Sequence, residues 1–377
     1  MSGMRKLRVV AKTRESRLIT SFELAPVEPG GWRPFEAGQF LVLRVPGDST
    51  RPSALRTYSV SCAPGHPGRY RISVKREAAP RDGVPPGLGS CWLHDHVAVG
   101  DLLDADGPRG DFVLDRASAR PVVLLSGGVG LTPLVSMLHA LAEGSDRAAH
   151  FIHACDNGEV HALGDEVRAL VASRPGLVAR FVYRTPSDAD RAGGDAGGGR
   201  SSSPRFDAEG IVTRELLQRW LPLDDYDFYL CGPPPFMQGC YRLLRSLGVP
   251  KARIAYEFFG PATVLDTDDI EAGVAAIAAA APPAAISDAD AATAALVSFR
   301  KSGRSAHWQP GCESLLAFAE EQGLQPDFSC RAGVCGSCRT ALVSGAVDYF
   351  EDPLDDPGAG QVLLCCSRPR GPVVLDL

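Results

Sequence analysis

Three groups of residues in this 377-residue chain have the types and spacing to do chemistry. The densest is Cys330-Arg-Ala-Gly-Val-Cys335-Gly-Ser-Cys338, followed after a gap by Cys365-Cys366. Thiolates are soft ligands, and three in one short loop with a distant fourth suit an iron–sulfur cluster. Structural zinc usually takes closely spaced pairs from two places, which makes zinc the lesser reading. Gly333 and Gly336 let such a loop fold around its metal with N–H groups turned inward. A second group, Ser126-Gly127-Gly128-Val129-Gly130-Leu131-Thr132-Pro133, follows a continuous apolar run and opens a helical pattern. Amides at such a turn can approach a pyrophosphate at the positive end of the helix. The third, Arg56-Thr57-Tyr58-Ser59, combines a guanidinium that can clamp a phosphate, a ring that can stack and a hydroxyl that can bond the edge of a bound ring.

Elements must position these groups. Residues 1 to about 117 read as short strands between Gly and Pro: Leu7 to Lys12, Leu18 to Leu24, Phe40 to Val45, Thr57 to Ser61 and Tyr70 to Val74, with apolar residues alternating at 70, 72 and 74. That pattern predicts a small antiparallel β-barrel. From Pro121 to Leu125 the chain becomes continuously apolar. Thr132 is the expected N-cap of the next helix and Pro133 its first residue, with Leu134, Leu138 and Leu141 on one face and Gly144 just past the end. Strand patterns at Phe151 to Ala154, Ala179 to Tyr183, Phe228 to Leu230 and Ile254 to Phe258 alternate with helical ones near Leu163 to Val171, Arg214 to Leu221 and Phe236 to Leu247. Such alternation predicts an α/β domain with a parallel sheet. Pro186 to Arg205, rich in Gly, Ser and Asp, reads as a surface insert. Thr263 to Ala295, Ala-rich and acidic with Pro282-Pro283, reads as a linker. A compact α+β block follows, with strands near Val297 to Lys301, Ala306, Ala341 and Val373 and a helix from Glu313 to Glu321. The expected domains are therefore 1–117, 118–262 and 296–377, with 263–295 as the linker.

Composition narrows the class. With 45% hydrophobic and 22% charged residues the chain is globular, and it has no apolar stretch long enough to span a membrane and no secretory h-region at its start. A cytoplasmic address is expected, and the eleven cysteines then read as metal ligands or core residues. Cys62, Cys91, Cys155, Cys240 and Cys312 show no partner pattern and read as small core hydrophobes. Formal net charge is −6, with 7 Lys+Arg against 16 Asp+Glu after residue 262. No basic stripe points to nucleic acid, whereas the acidic C-terminal part suits a basic partner surface.

The block from about residue 296 onward resembles a plant-type ferredoxin, with Phe328 to Arg339 (FSCRAGVCGSCR) matching the cluster loop. The resemblance implies a β-grasp fold. Leu363-Leu364-Cys365-Cys366-Ser367-Arg368-Pro369 is similar to the family pattern L-x-C-x-x-x-P, which implies that Cys330, Cys335, Cys338 and Cys365 ligate a [2Fe-2S] cluster; the sequence alone does not exclude Cys366. Arg56-Thr57-Tyr58-Ser59 resembles the flavin motif R-x-Y-S of the ferredoxin-NADP reductase superfamily. Gly87-Leu-Gly89-Ser90 resembles the G-x-x-S segment with which FAD-binding members hold the pyrophosphate, and Asp111-Phe112 fits the same pattern. His94 and His96, two apart on a helix, face different ways and read as structural rather than as a metal pair. The loop at Ser126 departs from G-x-G-x-x-G and matches the superfamily's G-G-x-G-x-T-P, which implies Gly127, Gly128, Gly130 and Thr132 at the nucleotide. Cys231-Gly232-Pro233-Pro234 resembles the C-G-P motif whose cysteine lies beside the nicotinamide. Tyr256-Glu257-Phe258-Phe259-Gly260-Pro261 matches the E-x-F-G-P terminus of the reductase half of flavohaemoglobins, which implies Phe259 at the flavin and Glu257 nearby.

NADH delivers two electrons together and a [2Fe-2S] cluster passes one at a time; a flavin between them can convert the one into the other. The resemblance therefore implies electron flow from NADH through flavin and cluster to an oxygenase component or another one-electron acceptor protein, as in reductases of the phthalate dioxygenase reductase type. Ser59, Cys231 and Glu257 are expected at the reacting centre. FAD is favoured by the G-x-x-S and E-x-F-G-P segments, with FMN, the flavin of the phthalate-type reductases, as the alternative. Asp156, just after a strand, could accept from the ribose 2′-OH and would repel a 2′-phosphate, which favours NADH; Arg184 keeps NADPH open. The competing functions are a stand-alone flavin or ferric reductase, the reductase half of a nitric oxide detoxifying system, and a redox sensor.

Overall fold

The computed structural model describes residues 4–47, 53–78, 87–192, 205–259 and 295–309, and of 310–377 all but 310, 311, 313, 325, 327, 329–332, 334, 335, 337, 351, 352, 354 and 355. The chain divides into two compact units, one ending at Phe259 and one formed mainly by residues 260–377.

The first unit begins with six antiparallel strands: β1 (Arg5–Arg14), β2 (Ile19–Pro26), β3 (Phe40–Val45), β4 (Ala54–Ser59), β5 (Tyr70–Lys75) and β6 (Leu102–Arg109). Their order is β4-β3-β6-β1-β2-β5, and a bridge between Val60 and Ile72 brings the two ends of the sheet together. Alternate residues line the interior: Leu7 and Val9, Phe22 and Leu24, Leu41 and Leu43, Tyr70 and Ile72. Rolling the sheet on itself removes the exposed edges that an open sheet would present. Helix α1 (Leu88–His96) lies between β5 and β6. β6, LLDADGPR, has no period-two apolar pattern after its first residues and was not among the expected strands.

The second half of this unit is a parallel sheet of β7 (Val122–Gly127), β8 (Ala149–Cys155), β9 (Leu177–Tyr183), β10 (Ala208–Glu209), β11 (Asp227–Gly232) and β12 (Ile254–Phe258), in the order β10-β9-β8-β7-β11-β12. Helices α2 (Leu131–Gly144), α3 (Gly164–Ser173), α4 (Asp188–Ala192), α5 (Arg214–Trp220) and α6 (Pro234–Ser246) connect the strands. β7 is buried from end to end, as a central parallel strand covered on both faces must be. From β7 the chain winds outward through β8, β9 and β10, then returns to β11 on the other side. The reversal opens a crevice at the C-terminal ends of β7 and β11, the place where sheets of this kind bind ligands. The expected helix start is corrected: a 3₁₀ turn, Gly128–Gly130, leads directly into α2 at Leu131. Thr132 is therefore inside the first turn, its hydroxyl donating to the Val129 carbonyl (3.1 Å), and Gly144 is the last helical residue rather than the one beyond. Of the expected insert, Asp188–Ala192 is helical and 193–204 lie outside the described residues.

In the second unit a five-stranded sheet has the order β14-β13-β19-β15-β17, built from β13 (Leu296–Phe299), β14 (Arg304–His307), β15 (Arg339–Ser344), β17 (Gln361–Leu363) and β19 (Val373–Leu375). A ribbon of β16 (Val347–Tyr349) and β18 (Ser367–Pro369) stands beside it. Helix α7 (Leu315–Glu321) starts at Ser314, whose hydroxyl accepts from the Ala317 amide (3.1 Å), and buries Leu315, Leu316 and Phe318 in a core with Val297, Phe299 and Leu375. Residues 260–294, which include nearly all of the expected linker, lie outside the described residues.

Candidate functional site: a crevice of nucleotide and flavin motifs

At the crevice one rung crosses four parallel strands. Glu257 on β12 pairs with Cys231 on β11, Cys231 with Ser126 on β7, and Ser126 with His153 on β8. Cys231 is 0% exposed and Ser126 is 0% exposed. Burial pushes the Cys231 thiol well above its ordinary range, and the neighbouring Glu257 adds to the shift, so the group is a neutral thiol. Glu257 Oε2 is buried with no hydrogen-bond partner. Desolvation raises this carboxyl to about 8, so at neutral pH it carries a proton and is a donor in search of an acceptor. Ser126 Oγ lies 2.8 Å from His153 Nδ1; His153, pushed down to about 4 by burial, is neutral.

The glycines expected at the nucleotide divide by what surrounds them. A Cβ on Gly130 would stand 2.2 Å from the Cys231 carbonyl oxygen, and one on Gly127 or Gly232 would strike the Phe236 ring. These three glycines let the β7 turn close down on Cys231 and Gly232. Gly128 differs: its φ is +53° and nothing stands within 4 Å of its Cβ position, so its backbone borders open space where a phosphate can approach. Pro233 is the N-cap residue of α6, with further prolines in the first turn. Thr132 is 2% exposed, and its hydroxyl donates to the Val129 carbonyl, which braces the turn from below. Asp156 Oδ1 stands 2.6 Å from Arg184 Nη2, both side chains about half exposed, which ties the ends of β8 and β9 together.

On the barrel side, β4 carries the Arg56-Thr57-Tyr58-Ser59 motif. The Ser59 hydroxyl is buried with no partner, an arrangement that costs about 1–3 kcal/mol unless a ligand completes it. Tyr58 packs against the barrel core, and burial holds its phenol protonated. Arg56 is exposed, with Nη1 on the Leu55 carbonyl (2.7 Å). Gly89 brings the first turn of α1 onto the motif, since a Cβ there would meet Tyr58 Oη at 2.7 Å and Arg56 Cγ at 2.9 Å. Gly87 is the N-cap residue of α1. The Ser90 hydroxyl is committed to the protein: it donates to the Gly87 carbonyl (3.3 Å) and accepts from the Glu77 amide (3.1 Å). Phe259 packs, partly buried, against the core of the parallel-sheet half. His94 Nε2 meets the Val74 carbonyl (2.8 Å), the structural role expected of it. Two buried orphans, Ser59 Oγ and Glu257 Oε2, fit a polar-edged ring such as the isoalloxazine better than an empty apolar cleft.

In the second unit Cys338 and Cys365 are buried, and the Gly333 amide donates to Cys365 Sγ (3.3 Å). Gly333 has φ +65°, and its missing Cβ would lie 2.8 Å from Cys366 Sγ. Gly333 thereby lies close against both adjacent cysteines, its N–H facing Cys365. An amide turned on a buried cysteine sulfur, with Gly at the left-handed position, suits an iron–sulfur ligand set. Cys330 and Cys335 lie outside the described residues.

Sequence reasoning assigned no task to Ser126, His153, Arg71 or Glu166. Ser126 was inside a motif already quoted. Arg71, between the core positions Tyr70 and Ile72, has the ordinary place of a polar residue on the outer face of a strand, so no local signal marks its partner.

Comparison with known proteins agrees with this geometry. Residues 6–114 match the oxidoreductase FAD-binding domain, 124–242 the oxidoreductase NAD-binding domain and 299–370 the 2Fe-2S iron-sulfur cluster binding domain. A flavohemoprotein of Bordetella pertussis is 45% identical over 260 residues, which are 69% of this chain and 61% of that protein; the chain thus spans about three fifths of the flavohemoprotein's length. The flavohem-like FAD/NAD binding domain of nitric oxide dioxygenase from Vibrio cholerae is 36% identical with a TM-score of 0.57, covering 68% of this chain and 99% of that one. Phthalate dioxygenase reductase, described as a modular structure for electron transfer from pyridine nucleotides to [2Fe-2S], is 27% identical with a TM-score of 0.55 over 100% of this chain and 98% of its own. Among the described residues no helix is long and apolar enough to cross a membrane. With FAD-, NAD- and 2Fe-2S-binding domains in succession and a relative covered almost end to end at 36% identity, the chain belongs to the FAD- and NAD-binding oxidoreductases of the flavohemoprotein-reductase kind, extended by a 2Fe-2S iron-sulfur cluster binding domain.

Proposed function

We propose that this oxidoreductase takes hydride from NADH and delivers single electrons, through FAD and a [2Fe-2S] cluster, to an oxygenase component. The observation that carries the reading is the succession of FAD-, NAD- and 2Fe-2S-binding domains in one chain, with full-length likeness to a reductase of that modular type. Bound flavin supplies acceptance of an electron pair and release of single electrons, and a [2Fe-2S] cluster carries one.

The chain's own residues would bind, orient and exclude water. The Gly128 turn offers amides to the pyrophosphate at the start of α2. Cys231, a neutral and fully buried thiol, would lie beside the nicotinamide as a small apolar neighbour. The Ser59 hydroxyl and the protonated Glu257 carboxyl, both buried without a partner, would bond the ring system, and Glu257 Oε2 can hold a proton at neutral pH. Arg56 and the first turn of α1, at Gly87 and Gly89, would meet the flavin phosphates. Ser90 acts by shaping that turn. Asp156 favours NADH: a 2′-phosphate would face its carboxylate, although the paired Arg184 tempers the repulsion. Cys330, Cys335, Cys338 and Cys365 would hold the cluster.

Cys335→Ser tests the path: NADH-dependent cytochrome c reduction and the visible iron–sulfur spectrum should both fall, and an unchanged protein would refute the assignment. The 45% identity to a flavohemoprotein favours a second reading, a reductase acting on flavin, ferric or nitric-oxide-detoxifying acceptors. Acceptor reduction that survives loss of the cluster would favour it. Turnover that appears only when an oxygenase component is added would favour the first.

A further inference from the structure

A cluster of ionic and polar groups outside the crevice joins its two halves. Arg71, on β5 of the barrel, forms a double bond-pair with Glu166 on α3: Nη1 to Oε2 and Nη2 to Oε1, each 2.7 Å. The same guanidinium reaches back to Ser61, with Nε on Ser61 Oγ (3.1 Å) and Nη2 on the Ser61 carbonyl. Its backbone closes the grip, since the Ser61 amide donates to the Arg71 carbonyl (2.7 Å) and the Arg71 amide donates to Cys62 Sγ (3.3 Å). From the other side Ser136 on α2 donates its hydroxyl to the Cys62 carbonyl (2.9 Å), and His139 Nε2 lies 2.6 Å from Glu166 Oε1. The Arg71 and Glu166 side chains are only 17% and 25% exposed. Desolvation works against the Glu166 carboxylate, but His139 and Arg71 outweigh it and hold the group down at about 2, so the clasp is charged at any working pH.

Position makes this more than a domain brace. Ser61 and Cys62 are the second and third residues after Ser59, on the same extended segment, and α2 is the helix that the Gly128 turn opens. We infer that Arg71 is a positioning residue for hydride transfer: clasped to Glu166, it sets where the Ser59 segment stands against α2 and hence the distance between the flavin and nicotinamide sites. The inference rests on the function proposed above. A fork-shaped guanidinium suits the task because it bonds Glu166 bidentately and Ser61 at once, which a lysine cannot do. Hydride transfer depends steeply on approach, so a small shift of one half against the other has a large kinetic effect.

Arg71→Met and Arg71→Lys test it with two measurements. In flavin-free protein, amide hydrogen exchange over residues 59–62 and 131–139 should rise at least about tenfold in Arg71→Met as the clasp opens. In FAD-loaded protein, the rate constant for flavin reduction by NADH, per bound flavin and without oxygen, should fall about 10- to 100-fold. NADH affinity should stay within about threefold, because the Gly128 turn is untouched, and Arg71→Lys should recover only part of the rate. Glu166→Gln keeps the shape of the side chain and serves if Arg71→Met fails to fold; Arg71→Met/Glu166→Gln should then be no worse than either single change. A reduction rate per flavin within twofold of wild type in the folded variants overturns the inference, even where exchange rises, since the pair is then only a brace. Wild-type protein that NADH does not reduce at all would instead refute the proposed function.

Discussion

Glu257 offers a quantitative test, because its carboxyl is buried at Oε2 with no partner and is raised from 4.5 to about 8. The perturbation is Glu257→Gln, which keeps the shape and removes the titration. A folded-state value above the unfolded one means the native protein binds more protons between the two, so stability is fully present below about 4.5, is lost as pH rises toward 8, and is flat beyond. At about 1.36 kcal/mol per unit, the shift of roughly 3.5 units gives an upper limit of about 5 kcal/mol, to be reduced for partial relaxation around the site. Urea unfolding of flavin-free protein at a series of pH values from 5 to about 9 measures it. Wild type should lose about 2–5 kcal/mol more than Glu257→Gln across that range. An infrared band of a protonated carboxyl should titrate near 8 and be missing from the variant. Parallel stability curves for the two proteins would refute the claim that the carboxyl is buried without an ionic or hydrogen-bonded partner.

Gly130→Ala would place a methyl 2.2 Å from the Cys231 carbonyl oxygen, so the turn must lift from β11. The NADH KM should rise about tenfold or more at unchanged flavin content, and stability should fall by about 1–3 kcal/mol. Gly333→Ala meets both a positive φ of +65° and Cys366 Sγ at 2.8 Å. Bound iron and sulfide should fall below about half of wild type, and Gly333→Ala/Cys366→Ala, which relieves the contact but not the φ, should recover only part.

Much of the barrel and parallel sheet was legible because apolar periodicity is a local property: Phe40 to Val45 and Ile254 to Phe258 coincide with their strands. β6 escapes the pattern because Asp104, Asp106, Gly107 and Pro108 mask the alternation; Asp106 is tolerated at 1% exposure through its bonds to Arg109 and Arg33. Thr-Pro looks like a helix start and so predicts Thr132 as the cap, while the 3₁₀ turn of Gly128–Gly130 that pre-empts it has no sequence signature of its own. Site motifs could be read because close approach demands glycine and clusters demand thiols. The Arg71–Glu166 clasp, spanning 95 residues, and the raised Glu257 carboxyl come from tertiary burial, which no local pattern encodes.

Electron flow from NADH to the cluster is tested most directly by anaerobic addition of NADH to FAD- and iron–sulfur-loaded protein, followed by low-temperature electron paramagnetic resonance. Wild type should show the signal of a reduced [2Fe-2S] cluster, and Cys365→Ala should lose it while the flavin is still bleached. Flavin bleaching in wild type with the cluster left oxidised would contradict that flow.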